Sequence, residues 1–336
     1  MGLHILSPGP LTSVQDEGRF GHQRIGMSPA GAMDLHSMRL ANILVDNDMG
    51  EAGLEMTFMG AKVRFDEANV FALTGADMGA TLDGQPVPVG QAWPAKEGSV
   101  LQMGHARSGC RAYLAVAGGF DLPVLHGSKS TLLRSSLGGY EGRKLAAGDH
   151  LPFCAPKETI PNLAVRRLPD QPPLSRDITV RVVLGPQEDR FTKAGMDTFL
   201  SSAYTVSDKS DRMGYRLTGP KVGHTTDANI ISDGIPFGAV QIPGSGEPMI
   251  MMSEHQGSGG YTKIANLISV DIPLVAQCPP GGTIRFKAVS VDEAQDLYIA
   301  QREQYEQLRR VYAQNFRSVY RVSVNGRTYC VGVAEG

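Results

Sequence analysis

Ala80–Trp93 reads ATLDGQPVPVGQAW, and the Asp83–Gly84 pair at its centre is a hairpin signal with a mechanism. A two-residue type I′ turn needs positive φ at both central positions, which Asp tolerates and Gly adopts without a steric penalty. The apolar positions on either side, continuing by alternation through Val87 and Val89, then become short antiparallel strands. The same texture extends outward from this hairpin. AKVRF (61–65), VFALTGA (70–76) and GCRAYLAVAGG (109–119) are brief apolar runs, and 40 glycines and 21 prolines punctuate the chain. Strands of this kind close into barrels or sandwiches, so the expectation is a mainly β protein.

Helical periodicity is confined to a few places. Leu35, Met38, Ala41 and Leu44 or Val45 recur at helical spacing behind Asp34, a plausible N-cap. A second helix is expected over Gln187–Ser201, with Phe191, Ala194 and Phe199 on one side, and a third, solvated one over Asp292–Asn315. After it, YRVSVNGRTYCVGVAE (Tyr320–Glu335) reads as a hairpin turning at Asn325–Gly326. A chain of 336 residues exceeds what one core usually serves. The proline-rich stretch Ala155–Asp177 reads as an extended connector. The expected division is a β domain over 1–156, a linker over 157–177, a second β domain over 178–291, and a helical and hairpin tail over 292–336.

Composition removes several function classes. Hydrophobic residues make up 41% and charged residues 20%, with a net charge of −2, the profile of a soluble globular protein. No basic excess points to nucleic acid, and no apolar run is long enough to span a bilayer. The first residues lack a basic stretch followed by a long apolar one, so a cytoplasmic location is expected. Cys110, Cys154, Cys278 and Cys330 are far apart and read as buried reduced thiols, with no metal site. GSKST (127–131) is not a phosphate loop, because Ser128 separates Gly127 from Lys129. GSGG (257–260) is not a dinucleotide fingerprint, and neither HExxH nor GxSxG occurs.

Polar residues set among glycines mark the candidate site. Val14–Asp34 offers Gln15, Asp16, Arg19 and Asp34, where tight turns let an acid and a base project together. Gly127–Asp149 offers Arg134 and Arg143, and Ser207–Pro220 offers Asp211, Arg212 and Arg216. Arginines from different loops suit an anionic substrate, which a guanidinium grips in bidentate fashion. Ala239–Ile272 offers Gln241, Glu254, Gln256, Tyr261 and Lys263, with Glu254 a credible acid or base. Asp16, Asp211 and Glu254 are the catalytic candidates; the others named here are candidates for binding substrate.

In order and spacing these strings resemble the allophanate hydrolase subunit 2 family, also called the carboxyltransferase A/B or KipA-like family. The resemblance covers residues 3 to 290. Its most specific pieces are QDEGRFG with GAMD, LAVAGGFD with GSKST and GRKLAAGD, SDRMGYRL, and QIPGSGEP with QGSGGYTKIA. Where the family shows an Asp and then Gln-Thr-Thr-Gly-Gly-Tyr, this chain carries Glu254 and then Gln256, Gly257, Ser258, Gly259, Gly260 and Tyr261. The resemblance implies two cyclophilin-like β-barrel domains, with the ligand site in the cleft between the barrels and a partner subunit. It implies a protein resembling the C-type subunit of 5-oxoprolinase, an enzyme that opens 5-oxoproline to glutamate at the expense of ATP. The implied partners are a KipI-like protein, akin to allophanate hydrolase subunit 1, and a further subunit; ATP is bound by or with them. Two alternatives belong to the same family. One is a biotin-dependent carboxyltransferase component of the urea carboxylase type, its biotin arriving on a separate chain. The other is a non-catalytic antagonist of a KipI-like kinase inhibitor. The tail hairpin resembles the opening strands of a biotinyl-carrier domain.

Overall fold

The computed structural model describes residues 1–169, 173–314, 316–324 and 327–334. The described residues are mostly β, with four α-helices among them: α1 (Leu35–Leu44), α2 (Lys193–Ser201), α3 (Ile272–Gln277) and α4 (Val291–Ala313). In the N-terminal half one sheet runs in the order His150–Pro152, Gly2–Ser7, Lys62–Phe65, Val100–Gln102, Thr81–Leu82, Gln85–Pro86. The last two strands form the Asp83–Gly84 hairpin, with φ of 50° and 80° at the turn as a type I′ geometry requires. A second sheet runs Thr12–Gln15, Gly53–Thr57, Ser108–Val116, Asn69–Asp77, Gln91–Ala95.

Between the two sheets lies one core, with Leu3, Ile5, Val63, Phe65 and Leu101 facing Leu54, Met56, Phe71, Leu73, Leu114 and Val116. The other face of the second sheet, through Val70, Ala72, Ala92, Ala115 and Ala117, packs on α1 and on Tyr305 and Tyr312 of α4. Burial on both faces explains why VFALTGA and GCRAYLAVAGG read as unbroken apolar runs without alternation.

The C-terminal half closes a seven-stranded barrel. Its hydrogen-bonded order is Asp177–Leu184, Thr283–Ala288, Ala203–Val206, Gly214–Thr218, Met249–Met251, Ala239–Ile242, Ser258–Leu267, and back to Asp177–Leu184. Asn229–Gly234 adds to the outside of Ser258–Leu267. Val180, Val182, Phe199, Val240, Ile250, Ile264 and Ile284 fill the interior.

Several expectations change in the structure. α1 starts behind Asp34, whose carboxylate accepts from the Ser37 N–H at 2.9 Å, as a cap should. The second helix is broken: a 3-10 turn at Glu188–Arg190 precedes α2, which Thr192 caps through the Gly195 N–H, and Ala194 faces outward. Residues 160–168 of the proline-rich connector are packed and not extended, since Ile160, Arg166 and Leu168 are buried against α1 and the second sheet. There Arg166 pairs with Asp46 at 2.7 Å and donates to the carbonyls of Ile43 and Leu44. α4 is docked along one side and not wholly solvated. Its Tyr305 hydroxyl meets His36 Nδ1 at 2.7 Å, and its Tyr312 hydroxyl donates to Arg167 O at 2.8 Å. Phe316–Val324 pairs with Arg327–Ala334 in the tail hairpin, whose turn at Asn325–Gly326 lies outside the described residues. Cys110 and Cys278 are buried, and burial pushes their thiols up to about 11 and about 12; Cys154 is exposed, against expectation.

Candidate active site

The two halves meet where strand Ser108–Val116 faces α3. Its pairing with Asn69–Asp77 shifts register between Ser108 and Ala112, which leaves backbone groups without ladder partners. Gln277, the last residue of α3, fills the gap. Its Oε1 accepts from the N–H groups of Cys110 and Arg111 at 2.9 and 3.0 Å, and its Nε2 donates to Arg111 O and to the Asp34 carboxylate at 2.8 Å each. Arg111 is thereby held at the junction.

Across the junction the segment 211–213 pairs with 252–254, through Met252 N–H to Met213 O and Glu254 N–H to Arg212 O. This places Arg212 and Glu254 side by side, with Arg212 Nε donating to Glu254 at 2.6 Å. Arg212 also reaches into the other half, donating from Nη1 to Glu55 and from Nη2 to Gly31 O at 2.6 Å. Glu55 in turn accepts from the Tyr113 hydroxyl and the Met33 N–H, both at 2.8 Å, and lies 3.9 Å from Arg111 Nε. Arg111 Nη1 donates to the Tyr215 hydroxyl at 2.7 Å. Two buried guanidinium groups and two buried carboxylates therefore balance one another. Burial works against the charge on Arg212, but Glu55 and Glu254 outweigh it and hold the group more firmly protonated than usual. Burial, reinforced by Glu55 and Asp34, lifts the Tyr113 hydroxyl well above its ordinary value; burial brings Tyr215 to about 12.

Above this network opens a cleft of about 270 Å³, walled by Thr57, Arg111, Arg212, Tyr215 and Glu254, with Phe58, Leu133, Arg134, Asp211 and Met213 nearby. Thr57 Oγ1 and Arg111 Nε are buried there without a hydrogen-bond partner. Buried polar groups in native proteins are nearly always bonded, so these two unpartnered atoms, on residues that line the cleft, are candidates to meet a ligand's polar edge.

Four of the sequence candidates meet in this cleft: Arg134, Asp211, Arg212 and Glu254. Arg134 and Asp211 are exposed and 3.7 Å apart. The remaining candidates lie elsewhere. Asp16 staples the 127–131 loop, its carboxylate accepting from Gly18 N–H, Ser128 Oγ, Lys129 N–H and Ser130 Oγ. Gln15 donates to Ser13 and to Thr131 O. Asp34 is the cap described above. Arg143 is bidentate to Asp149, at 2.7 and 2.9 Å, and also bonds Glu141. Arg216, Gln256 and Tyr261 are exposed, and Lys263 bonds Asp233 at 2.9 Å. Gln241 is buried with both amide atoms unpartnered. Arg19 is buried as well and donates to Ser130 O. Sequence reasoning missed Glu55, Thr57, Arg111 and Tyr215. The signal for two of them was a charge inside an apolar strand, in GLEMT and in GCRAYLAV, where a buried charge requires a partner.

Residues 25–288 match the family described as carboxyltransferase domain, subdomains A and B. The chain belongs to this family. It is 39% identical to the C-type subunit of 5-oxoprolinase from Escherichia coli K12 over 307 residues, covering 91% of this chain and 97% of that protein. The Haemophilus influenzae protein of the same name is 36% identical, with 92% and 98% covered. Urea amidolyase of Saccharomyces cerevisiae is 35% identical, covering 88% of this chain but 17% of that protein. The crystal structure of K. lactis urea amidolyase superposes with a TM-score of 0.85 at 32% identity, over 91% of this chain and 20% of that one. Among the described residues no helix is long and apolar enough to cross a membrane, and no cluster of side chains could hold a metal ion.

Proposed function

We propose that this chain serves as the C-type subunit of a cytoplasmic, ATP-dependent 5-oxoprolinase, acting with a KipI-like partner and a third subunit. The observation that carries the reading is the pair of orphaned groups beside Glu254. A lactam presents a carbonyl oxygen and an N–H on one edge. Arg111 Nε donates to the oxygen, and the Thr57 hydroxyl accepts from the N–H. Glu254 then stands where a carboxyl can take a proton from water and return one to the ring nitrogen as the C–N bond breaks. Similarity that spans 97% and 98% of two bacterial subunits of that name supports the reading.

The 127–131 loop is not built for a triphosphate. In the 127–131 loop, Lys129 Nζ is taken by Glu51 at 2.7 Å and Phe120 O at 2.8 Å, and the Lys129 N–H and both serine hydroxyls go to Asp16. These donors are not free for a triphosphate, and the proposal assigns phosphoryl chemistry to the partners.

The likeness to K. lactis urea amidolyase favours a second reading, a biotin-dependent carboxyltransferase component. A ureido ring presents the same carbonyl and N–H edge to Arg111 and Thr57, and the cofactor, arriving on another chain, would supply the carboxyl group. Co-expression with the neighbouring subunits and assay of 5-oxoproline-dependent ATP hydrolysis with avidin present separates the two. Undiminished turnover supports the oxoprolinase reading; loss of turnover on adding avidin overturns it.

A further inference from the structure

Phe58 stands in a backbone conformation that its residue type rarely adopts, with φ of 64°. The Met59 N–H closes back on the Thr57 carbonyl at 2.8 Å, so Phe58 is the central residue of a three-residue turn of the strained, positive-φ kind. Both of its own backbone groups are pinned. The N–H donates to Cys110 O and the carbonyl accepts from the Ala106 N–H, each at 2.8 Å. A strained conformation persists only where the surroundings over-determine it, and such positions cluster at ligand sites. Among the described residues eight besides glycine have positive φ; Asp46, Asp83, His126 and Asn162 are of types that tolerate it. Phe58 alone of the eight lines the cleft.

The local fold does not account for a phenylalanine at this position. Glycine adopts this φ freely. Nor is the ring part of the core, since Phe58 is 46% exposed, against 4% for Thr57 before it and for Arg111. With Leu11, Leu133, Met213 and Pro280 it gives the cleft an apolar lining beside the charges of its floor. A ligand that fills the cleft therefore needs apolar surface as well as a polar edge. An exposed aromatic face offers that surface to a flat ring.

We propose that Phe58 is a specificity-determining residue, whose ring packs on the face of a small cyclic amide and makes the cleft prefer a ring to an open-chain amide with the same polar edge. The inference rests on the cyclic-amide reading above and holds for a lactam and a ureido ring alike.

Two measurements on the co-purified complex test it, with melts of the full chain beside them. The first is 5-oxoproline-dependent ATP hydrolysis. Phe58→Ala and Phe58→Gly are expected to raise KM about three- to tenfold with kcat kept, because stacking holds the ring before and during reaction alike. Phe58→Tyr keeps the aromatic face and is expected to recover the parent KM within about twofold. In the melts Phe58→Gly should unfold above Phe58→Ala, the reverse of their usual order, because only alanine carries a Cβ into positive φ. A glycine variant that melts below the alanine variant, a KM indifferent to loss of the ring, or kcat falling together with assembly would overturn the proposal, the last by making the ring a contact for the partner.

The second measurement is saturation-transfer NMR with 2-imidazolidinone and urea, which share the amide edge and differ in the ring. The parent complex should bind the ring about three- to tenfold more tightly, and Phe58→Gly should bind the two alike. Equal binding by the parent, or binding of neither, would overturn the proposal. A ring preference that disappears with Phe58, in a complex without 5-oxoproline-dependent ATP hydrolysis, would sink the assigned reaction and leave the role of Phe58 standing. Turnover with a KM insensitive to Phe58 would do the reverse.

Discussion

Thr57 and Arg212 line the same cleft, yet their substitution has opposite expected consequences. The Thr57 hydroxyl bonds nothing within the protein, so Thr57→Val removes no internal hydrogen bond and preserves shape. Its melting temperature is expected to stay within a few degrees of the parent. Its kcat/KM is expected to fall roughly tenfold or more, the loss of about one substrate hydrogen bond. A normal kcat/KM would remove Thr57 from the site. Arg212 spends every nitrogen on Glu254, Glu55 and Gly31 O across the junction. Arg212→Gln strands buried carboxylates and should cost about 3–5 kcal/mol of stability, visible as a lowered denaturant midpoint. Loss of activity at unchanged stability would contradict this. His36 and His255 set a pH limit. Burial lowers the pKa of both, so the unfolded chain takes up protons near the ordinary histidine value while the folded chain does not. Stability is fully present above about pH 6.5 and declines as pH falls toward the lowered folded values. Melts at pH 7.5 and 5.5 should show the drop, and His255→Phe should flatten part of it; an unchanged drop in that variant would exclude His255 as a source. Arg212 and Glu254 were legible because glycine-rich loops announce themselves. Arg111 and Glu55 were not, because each sits in a strand where one charge reads as an outward-facing residue.

At the scale of elements, the register shift in Ser108–Val116 and its filling by Gln277 matter most. That side chain satisfies two backbone N–H groups of one half from the last turn of a helix belonging to the other. Gln277→Ala leaves both without partners, at about 1–3 kcal/mol each. Hydrogen exchange is expected to rise at Cys110 and Arg111 while the barrel strands stay protected; uniform exchange across both halves would show that the contact is dispensable. Strands and α1 could be read from turn residues and periodicity, since those signals are local. The register shift, the break before α2 and the packing of the proline-rich segment could not, because each depends on a partner more than a hundred residues away or on a single cap. Asp16 shows the same limit in reverse: its motif looks chemical, and its carboxylate holds a loop.

For the whole molecule, two β units share a junction, and α4 straps the first of them. The polar sequence of α4 concealed this role, because two tyrosines one face apart suffice to dock it. Both are buried, and their hydroxyls bond His36 and Arg167 O of the first unit. The mainly β class was legible from composition, but the closure of one half into a barrel depends on the pairing of Asp177–Leu184 with Ser258–Leu267, contacts of long sequence separation. The proposed chemistry lies at the junction, with Glu254 as its acid. Glu254→Gln retains an acceptor for Arg212 Nε while removing the charge. The lost carboxylate lowers the melting temperature, because two buried guanidinium groups then share one acid. In the reconstituted complex, assayed below its melting temperature, 5-oxoproline-dependent ATP hydrolysis should fall at least a hundredfold with assembly retained, whereas parent-like turnover would contradict the account.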